Sequence, residues 1–535
     1  MLEVALSILS LSLINVSLGF AMARVLHCSE INLPSAHWLG FVALIILLEF
    51  WSLFLPVNIA FVWVILGSSL PGLFLVVRYL LKNSKPLYRL HHLIPLAAIP
   101  AILFTIYAGC KPVTWYDTPL YHLNAIRWIN EFPAVPGLAN LHVRLGFNSS
   151  FLLFGALSNL GPLTGKAAHV ALPYLLCMSI AEIASRIGRR GLAGILPLLL
   201  LPYLLARAFS EESASLSTDL STNCIMLVAI LYLLDRTTVT NQVLAAGLCS
   251  LALVFKFTAL PLAAIWVLIL GLSTFRKKRT FIPNVLVLPA LILSGFVLRN
   301  AILSGWLFFP APVGNLHLSW SVPDSVAAET IQWIRGWAKW GPAFHPGATT
   351  DALAWVRPWL SQRRGEPEVL MILLTSFCVA LSLALNRFRL RMHTNRIRLL
   401  AIGVLGALYN FALAPDFRFA GFFVWILLIG SFLLLLANLR VGSRGVQIAV
   451  LAFSVLWILR LHGMPGINSR VGLIQTRREG SAAVKSVRTE QGFEYHVPVE
   501  GDQCGNSEIP CAPGPVRLRM RKSGDIGAGF EPAGL

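Results

Sequence analysis

The sequence predicts an all-α fold: a polytopic bundle of transmembrane helices with a small extracytoplasmic C-terminal tail. Three observations predict it. The chain is 56% hydrophobic and only 13% charged, whereas a soluble chain carries roughly 25% charged residues. Apolar segments of roughly 20 residues, each long enough for a hydrocarbon core about 30 Å thick, recur almost from end to end. Basic residues gather in short clusters between those segments, as they do in cytoplasmic loops. The formal net charge of +19 is then a topology signal and argues against nucleic-acid binding.

In order, the segments lie near 4–23, 38–56, 58–77, 92–109, 167–185, 192–207, 220–234, 242–255, 257–273, 282–301, 369–386, 399–413, 420–438 and 446–461, about fourteen spans in all. Met1–Ala23 lacks a basic n-region and a clear small-residue cleavage site. It therefore reads as a retained span and not as a signal peptide. Segment 148–160 is too short for a comfortable crossing and reads as re-entrant or interfacial. If it does not cross, the clusters Arg78–Arg89, Arg186–Arg190, Arg276–Arg279, Arg387–Arg398 and Arg440–Arg444 share one side, which is then cytoplasmic. Both termini, loop 110–147, loop 302–368 and the tail face outward. Residues 1–462 make the transmembrane domain and 463–535 the appendage. The short pair 242–255 and 257–273 is the least span-like.

Cys28, Cys110, Cys177, Cys224, Cys249 and Cys378 lie in or beside apolar segments and read as packing residues. Cys504 and Cys511 sit in the polar tail. No second pair accompanies them, so zinc is not indicated. In an oxidising compartment they would form a local disulfide.

The unusual polar residues fall on the outward side. In the first loop Thr118 can cap a helix whose first residue is Pro119. Tyr121, Ala125, Trp128 and Phe132 then form an apolar stripe, as in a short helix lying in the interface. Asp117 sits beside its N-terminus, where the helix dipole favours a carboxylate; a plain cap or loop role is the simpler alternative. Elsewhere Glu211, Glu212 and Asp219 precede a span, Lys256 interrupts one, Arg299 and Asn300 end one, and Asp416 and Arg418 break another. A charge within a span costs about 2.5–3.5 kcal/mol at its centre, so such residues either snorkel or face a wet cavity. Trp115, Trp128, Trp306 and Trp337 read as interfacial anchors.

Carboxylates beside several cations suit a lipid-linked phosphate. Arginine offers a planar fork and lysine a point charge. A carboxylate can act as general base for an acceptor hydroxyl, or can hold a divalent metal such as Mg or Mn on the phosphate. These parts describe glycosyl transfer from a polyprenyl-phosphate sugar.

The pattern Asp117-Thr-Pro-Leu-Tyr-His122, followed by Val135-Pro-Gly-Leu-Ala-Asn-Leu-His-Val-Arg144-Leu-Gly-Phe-Asn148-Ser-Ser-Phe, resembles an uncharacterised family of large bacterial polytopic membrane proteins. Its members resemble in turn the GT-C superfamily of integral membrane glycosyltransferases. The resemblance continues at Ser217-Thr-Asp219, Lys256-Phe-Thr, Arg299-Asn-Ala-Ile-Leu-Ser-Gly305 and Ala414-Pro-Asp-Phe-Arg418-Phe, and in the tail around Cys504 and Cys511. It implies a GT-C-like fold in the bacterial inner (plasma) membrane. It also implies an enzyme that moves a sugar from polyprenyl phosphate to an envelope glycan, lipid or protein. Asp117 matches the essential acid of the first outward loop, as base or metal ligand, and Asp219 an acid at the outer end of a later helix. His122, Arg144, Asn148, Lys256, Arg299, Asn300 and Arg418 are the candidate substrate-binding residues. Two departures stand out. The first loop has no Asp-x-Asp or Glu-x-Asp, which puts metal dependence in question, and four spans precede that loop where GT-C enzymes usually have one.

Two other classes remain open. A transporter or flippase of a lipid-linked saccharide would more often show internal repeats and midplane charges. A non-catalytic envelope-assembly protein would tolerate substitution at Asp117 and Arg144.

Overall fold

The computed structural model describes residues 1–28, 30–82, 98–187, 189, 191–235, 238–277, 284–345, 353–385, 394–438, 445, 476 and 478–533. The expected span 446–461 and the cluster Arg440–Arg444 lie outside the described residues.

The first three helices, α1 (Leu2–Val25), α2 (Leu33–Phe54) and α3 (Ile59–Lys82), pack together through small residues. A Cβ on Gly40 would lie 1.7 Å from the Asn15 carbonyl oxygen, and one on Gly72 would lie 1.7 Å from that of Ser17. Lipid gives helices no hydrophobic reason to associate, so backbone approach of this closeness supplies the dispersion contact. Then follow α4 (Ile99–Gly109), α5 (Leu123–Glu131), α6 (Ser150–Leu157), α7 (Ala167–Arg186), α8 (Leu192–Ala208), α9 (Thr218–Leu234), α10 (Val239–Phe255), α11 (Leu260–Lys277) and α12 (Asn284–Ser304). The series closes with α13 (Asp324–Trp340), α14 (Val356–Arg363), α15 (Pro367–Leu385), α16 (Thr394–Leu413) and α17 (Phe417–Asn438).

Helices α1, α2, α3, α7, α12, α15, α16 and α17 are long and apolar enough to cross a membrane. Helices α4, α8, α9, α10 and α11 are apolar but shorter. This is the architecture of a multi-pass membrane protein. Eight full-length helices among the described residues are fewer than the expected count of about fourteen spans. Part of the difference is local chemistry: at Lys256 the backbone turns extended (φ −161°, ψ 137°) and separates α10 from α11. Helix α7 is enclosed by the protein, whereas α3 and α15 present most of their surface outward. The eight residues of α6 are all buried, so segment 148–160 enters the protein as a short enclosed helix.

Contacts between helix ends define two faces. At one, Asn284 donates to the Leu26 carbonyl (3.0 Å) and Asn395 to that of Leu234 (3.2 Å). Arg186 is buried there against Glu182 (2.5 Å), Asp235 (3.6 Å) and the Tyr232 ring (4.4 Å). The other face carries the first loop, residues 302–345 and the tail. The tail departs from the all-α class. Its strands β1 (Val484–Arg488) and β2 (Glu494–Pro498) pair antiparallel, as do β3 (Leu518–Met520) and β4 (Phe530–Pro532). Phe493, Tyr495, Leu518 and Phe530 are buried between these hairpins and the first loop. Cys504 and Cys511 are joined (S–S 2.09 Å).

Candidate functional site

Four side chains from four distant segments meet at the loop face. Asp117 precedes a π turn, Thr118–His122, that leads into α5. Asp219 is in the first turn of α9, Lys256 stands at the break between α10 and α11, and Arg418 is in the first turn of α17. Arg418 donates through Nε to Asp219 (2.7 Å) and through Nη2 to Asp117. Lys256 donates to the other oxygen of Asp219. Two carboxylates and two cations thus form one chain of charge-assisted hydrogen bonds, Asp117–Arg418–Asp219–Lys256. Asp219 is 3% exposed, whereas Lys256 and Arg418 keep 25% of their side-chain surface.

The surroundings hold this chain in place. The Arg418 guanidinium lies 5.2 Å from the Trp115 ring centre, and the Lys256 ammonium 4.8 Å from that of Phe419. Asp416 accepts from the Arg418 backbone N–H (2.7 Å) and from Arg363 (2.5 Å), fixing the start of α17. Below Asp219, Ser217 caps α9 and donates to Glu212 (2.5 Å). Thr118 does not cap α5. Its hydroxyl accepts from the Leu216 N–H (3.1 Å) and ties the Asp117 segment to the start of α9.

Burial opposes ionisation of Asp117, but Arg418 first, by charge and hydrogen bond, and then Lys256 outweigh it and hold the carboxyl below its ordinary value. Burial pushes the His122 imidazole down to about 3, so the ring is neutral at physiological pH. Neither ring nitrogen has a hydrogen-bond partner among the described residues, which leaves one donor and one acceptor beside the cluster.

The remaining candidates lie elsewhere. Arg299 donates to Asn148 (2.5 Å), which donates to the Phe296 carbonyl (3.0 Å). Glu49 of α2 completes this second group, accepting from Ser150 (2.6 Å) and compensating Arg299. Asn300 donates to the Leu307 carbonyl (2.9 Å) and holds the turn after α12. Arg144 lies 5.9 Å from the Tyr121 ring centre. Arg144, Asn148 and Arg299 line a small cavity with Trp128 and Leu303, and neither Asp117 nor Asp219 is in its wall. Asn148, Arg299 and Asn300 therefore make their contacts outside the cluster, contrary to the expectation of one site, whereas Arg144 stays at its margin through Tyr121, which also feels Asp117, Arg418 and Asp219. The cause is that Asn148 and Arg299 satisfy each other inside the protein.

Two more expectations are corrected. Helix α5 is amphipathic, but its stripe packs on protein: Trp128 is buried, its ring 6.0 Å from that of Phe530 in the tail. Trp306 is buried too, donating to the Val322 carbonyl (2.9 Å). Neither is an interfacial anchor, whereas Trp337 is exposed.

Among the described residues no group of three or more His, Cys, Asp or Glu is placed to hold a metal ion. The donor set at the cluster does not fit a divalent cation, because both carboxylates are already engaged by Arg418 and Lys256. The two cations stand beside a neutral imidazole, their charges balanced by the two carboxylates.

Sequence reasoning missed Trp115 as the platform under Arg418, and it missed Glu49. The signal for Glu49 was present: an acid inside an apolar span is a functional or pairing residue by default.

Comparison with curated proteins and with solved structures finds no match. One family model matches residues 1–425. That stretch includes Asp117, Asp219, Lys256 and Arg418 and stops short of the tail. On that match the chain belongs to the family described as Domain of unknown function DUF8201.

Proposed function

We propose that the Asp117–Arg418–Asp219–Lys256 cluster is the reaction centre of a GT-C-type membrane glycosyltransferase. It would take a sugar from a polyprenyl-phosphate donor and pass it to an envelope glycan, lipid or protein on the extracytoplasmic side of the bacterial plasma membrane. The observation that carries the reading is the convergence of two acids and two cations, bonded across sequence separations of 37, 199 and 301 residues, at the end of the bundle where the irregular loops gather. A buried charge is costly unless paired, and four of them concentrated at one loop face favour a functional explanation over incidental snorkelling.

In the proposed reaction the acceptor hydroxyl oxygen attacks the anomeric carbon. The bond from that carbon to the phosphate oxygen breaks, and the electron pair leaves on the phosphate. Asp117 takes the proton of the hydroxyl. Arg418 and Lys256 bind the departing phosphate, where their charge acts most strongly because negative charge develops there. Asp219 aligns the two cations, and His122 supplies one neutral donor and one acceptor.

The test is transfer of labelled sugar from polyprenyl phosphate in membranes containing the protein. Asp117→Asn is expected to lower transfer by about 10²–10⁴-fold, the usual contribution of a general base, with the fold intact. Undiminished transfer in that variant would refute the assignment. Movement of the lipid-linked saccharide across the membrane with its covalent structure unchanged would replace the enzyme by a carrier.

A further inference from the structure

The cluster explains what binds Asp117 from the bundle side. It does not explain why the same segment is gripped from the opposite side by the tail. Tyr116 donates its hydroxyl to both carboxylate oxygens of Asp502 (2.7 and 2.6 Å). Gln503 donates its side-chain amide to the Tyr116 carbonyl (3.1 Å). The Gly505 N–H donates to the Pro119 carbonyl (2.7 Å). These contacts fall on residues 116 and 119 and bracket Asp117 and Thr118 between them.

The tail side of this grip is itself rigidly built. Residues 504–511 form a knuckle closed by the Cys504–Cys511 disulfide, and both sulfurs belong to buried residues. Next to the disulfide, the His496 N–H donates to the Pro510 carbonyl (2.9 Å) and the Ala512 N–H to that of His496 (3.0 Å), so the knuckle is stitched to β2. At its other end Asn506 donates to the Gly480 carbonyl (3.3 Å) and accepts from Arg127 of α5 (3.5 Å). The Asp117 segment has little support of its own. Its own backbone bonds are local, from the Thr118 N–H to Trp115 (3.0 Å), from the Leu120 N–H to Tyr116 (3.3 Å) and from the Leu123 N–H to Thr118, and the Leu216 N–H to the Thr118 hydroxyl (3.1 Å) ties it to the bundle. A carboxylate that must meet both Arg418 and a substrate proton needs a backbone fixed more firmly than that, since misplacement of about 1 Å can cost roughly 10²-fold in rate.

We infer that the disulfide-closed knuckle is a positioning element of the Asp117 site, with Asp502 acting through the Tyr116 hydroxyl to hold the Asp117 carboxylate against Arg418. Asp502 is a positioning residue: it touches Tyr116, not the cluster. The inference deepens the transferase reading and rests on it only for the activity readout. The physical readout is independent of any reaction.

The experiment is hydrogen exchange measured by mass spectrometry on the full-length protein in lipid nanodiscs. The peptide carrying the Thr118 and Leu120 amides reports on the segment; peptides from α9 and α17 report on the bundle. Asp502→Ala and Tyr116→Phe should each speed exchange in the reporter peptide on the order of tenfold, the effect of losing one charge-assisted hydrogen bond. The double variant should be no faster than either single one, and the α9 and α17 peptides should be unchanged. Asp502→Asn keeps an acceptor oxygen and should restore protection. Where transfer is measured, Asp502→Ala should lower kcat roughly tenfold to a hundredfold with KM unmoved, and Asp502→Asn should recover it. The inference is overturned if the two single variants exchange at the wild-type rate, if their effects add, or if exchange rises equally in the bundle. If the reporter peptide responds as expected but no transfer is found, the positioning role stands and the transferase reading falls.

Discussion

Replacing Arg418 with glutamine probes the cluster most directly. The wild-type chain of contacts balances two negative and two positive charges. Without Arg418, Asp219 keeps Lys256, but Asp117 loses its ion-pair partner and one negative charge goes uncompensated. Breaking a fully buried pair costs about 3–5 kcal/mol. Here Arg418 and Asp117 keep 25% and 15% of their side-chain surface, and solvent screening lowers the figure to about 2–3 kcal/mol. That is roughly a 30- to 150-fold loss in the folded-to-unfolded ratio, read by denaturant titration in a lipid-detergent mixture. Adding Asp117→Asn removes the stranded charge, so the double variant should be more stable than Arg418→Gln alone. The pH dependence has a definite sign. In the wild type the Asp117 carboxyl is depressed, so its contribution is present above the ordinary carboxylate value of 3.8 and is lost as pH falls through the depressed one. Without Arg418, burial dominates and the carboxyl is raised instead, so the deficit of the variant should shrink on acidification. Wild-type stability of Arg418→Gln at neutral pH, or further loss on adding Asp117→Asn, would refute the reasoning.

The helix packing predicts that Gly40→Ala, which sets a Cβ 1.7 Å from the Asn15 carbonyl oxygen, destabilises by about 1–3 kcal/mol or more through overpacking. Gly67→Ala in α3, with nothing within 4 Å, should be neutral or slightly stabilising in the same unfolding assay. Glu479 accepts from the Ala168 N–H at the start of α7 (2.7 Å), and burial pushes its carboxyl up to about 7. A raised carboxyl means that tail docking weakens as pH climbs from about 4.5 to about 7 and is level above that, by roughly 3 kcal/mol in total. Exchange protection of the tail followed against pH should show this slope, and Glu479→Gln should abolish it. Glu49→Ala leaves Arg299 buried without its carboxylate and should destabilise more than the double change with Arg299→Met, because an unpaired buried charge costs more than an apolar replacement.

Legibility in the sequence followed the physics of each segment. Apolar runs are read directly, since membrane insertion depends on summed hydropathy, and helices were found in thirteen of the fourteen expected stretches, the last lying outside the described residues. Which of those helices fully cross was less legible, because a single Lys256 or a proline-flanked end shortens a helix without altering the mean hydropathy. At the site, Asp117, Asp219, Lys256 and Arg418 stood out because a charge at the end of an apolar run is conspicuous. The separation of Arg299 and Asn148 from them was not legible. Arg299 satisfies the same residue-type rule, and only three-dimensional packing shows that it spends its charge on Asn148 and Glu49. The β-structure of the tail was hidden for another reason: its strands are three to five residues long, too short for alternation to register.

The depressed Asp117 carboxyl raises a difficulty for the proposed mechanism, and competition for Arg418 would resolve it. A carboxylate held low by Arg418 is a weak base, because its affinity for a proton has been given over to the ion pair. In the proposed mechanism a donor phosphate would compete for that same guanidinium and for Lys256, offering bidentate geometry that a shared carboxylate oxygen does not. If the phosphate drew Arg418 away, Asp117 would be left in a partly buried setting where burial raises its proton affinity. Donor binding would thus convert Asp117 from a structural anion into a competent base, with both cations already on the leaving group. The consequence is measurable as linkage: binding of the donor should take up protons from solution at mildly acidic pH, and the uptake should vanish in Asp117→Asn. Donor binding with no proton uptake in the wild type would mean that Arg418 stays on Asp117, and the acid would then be an anchor for the cation and not the base.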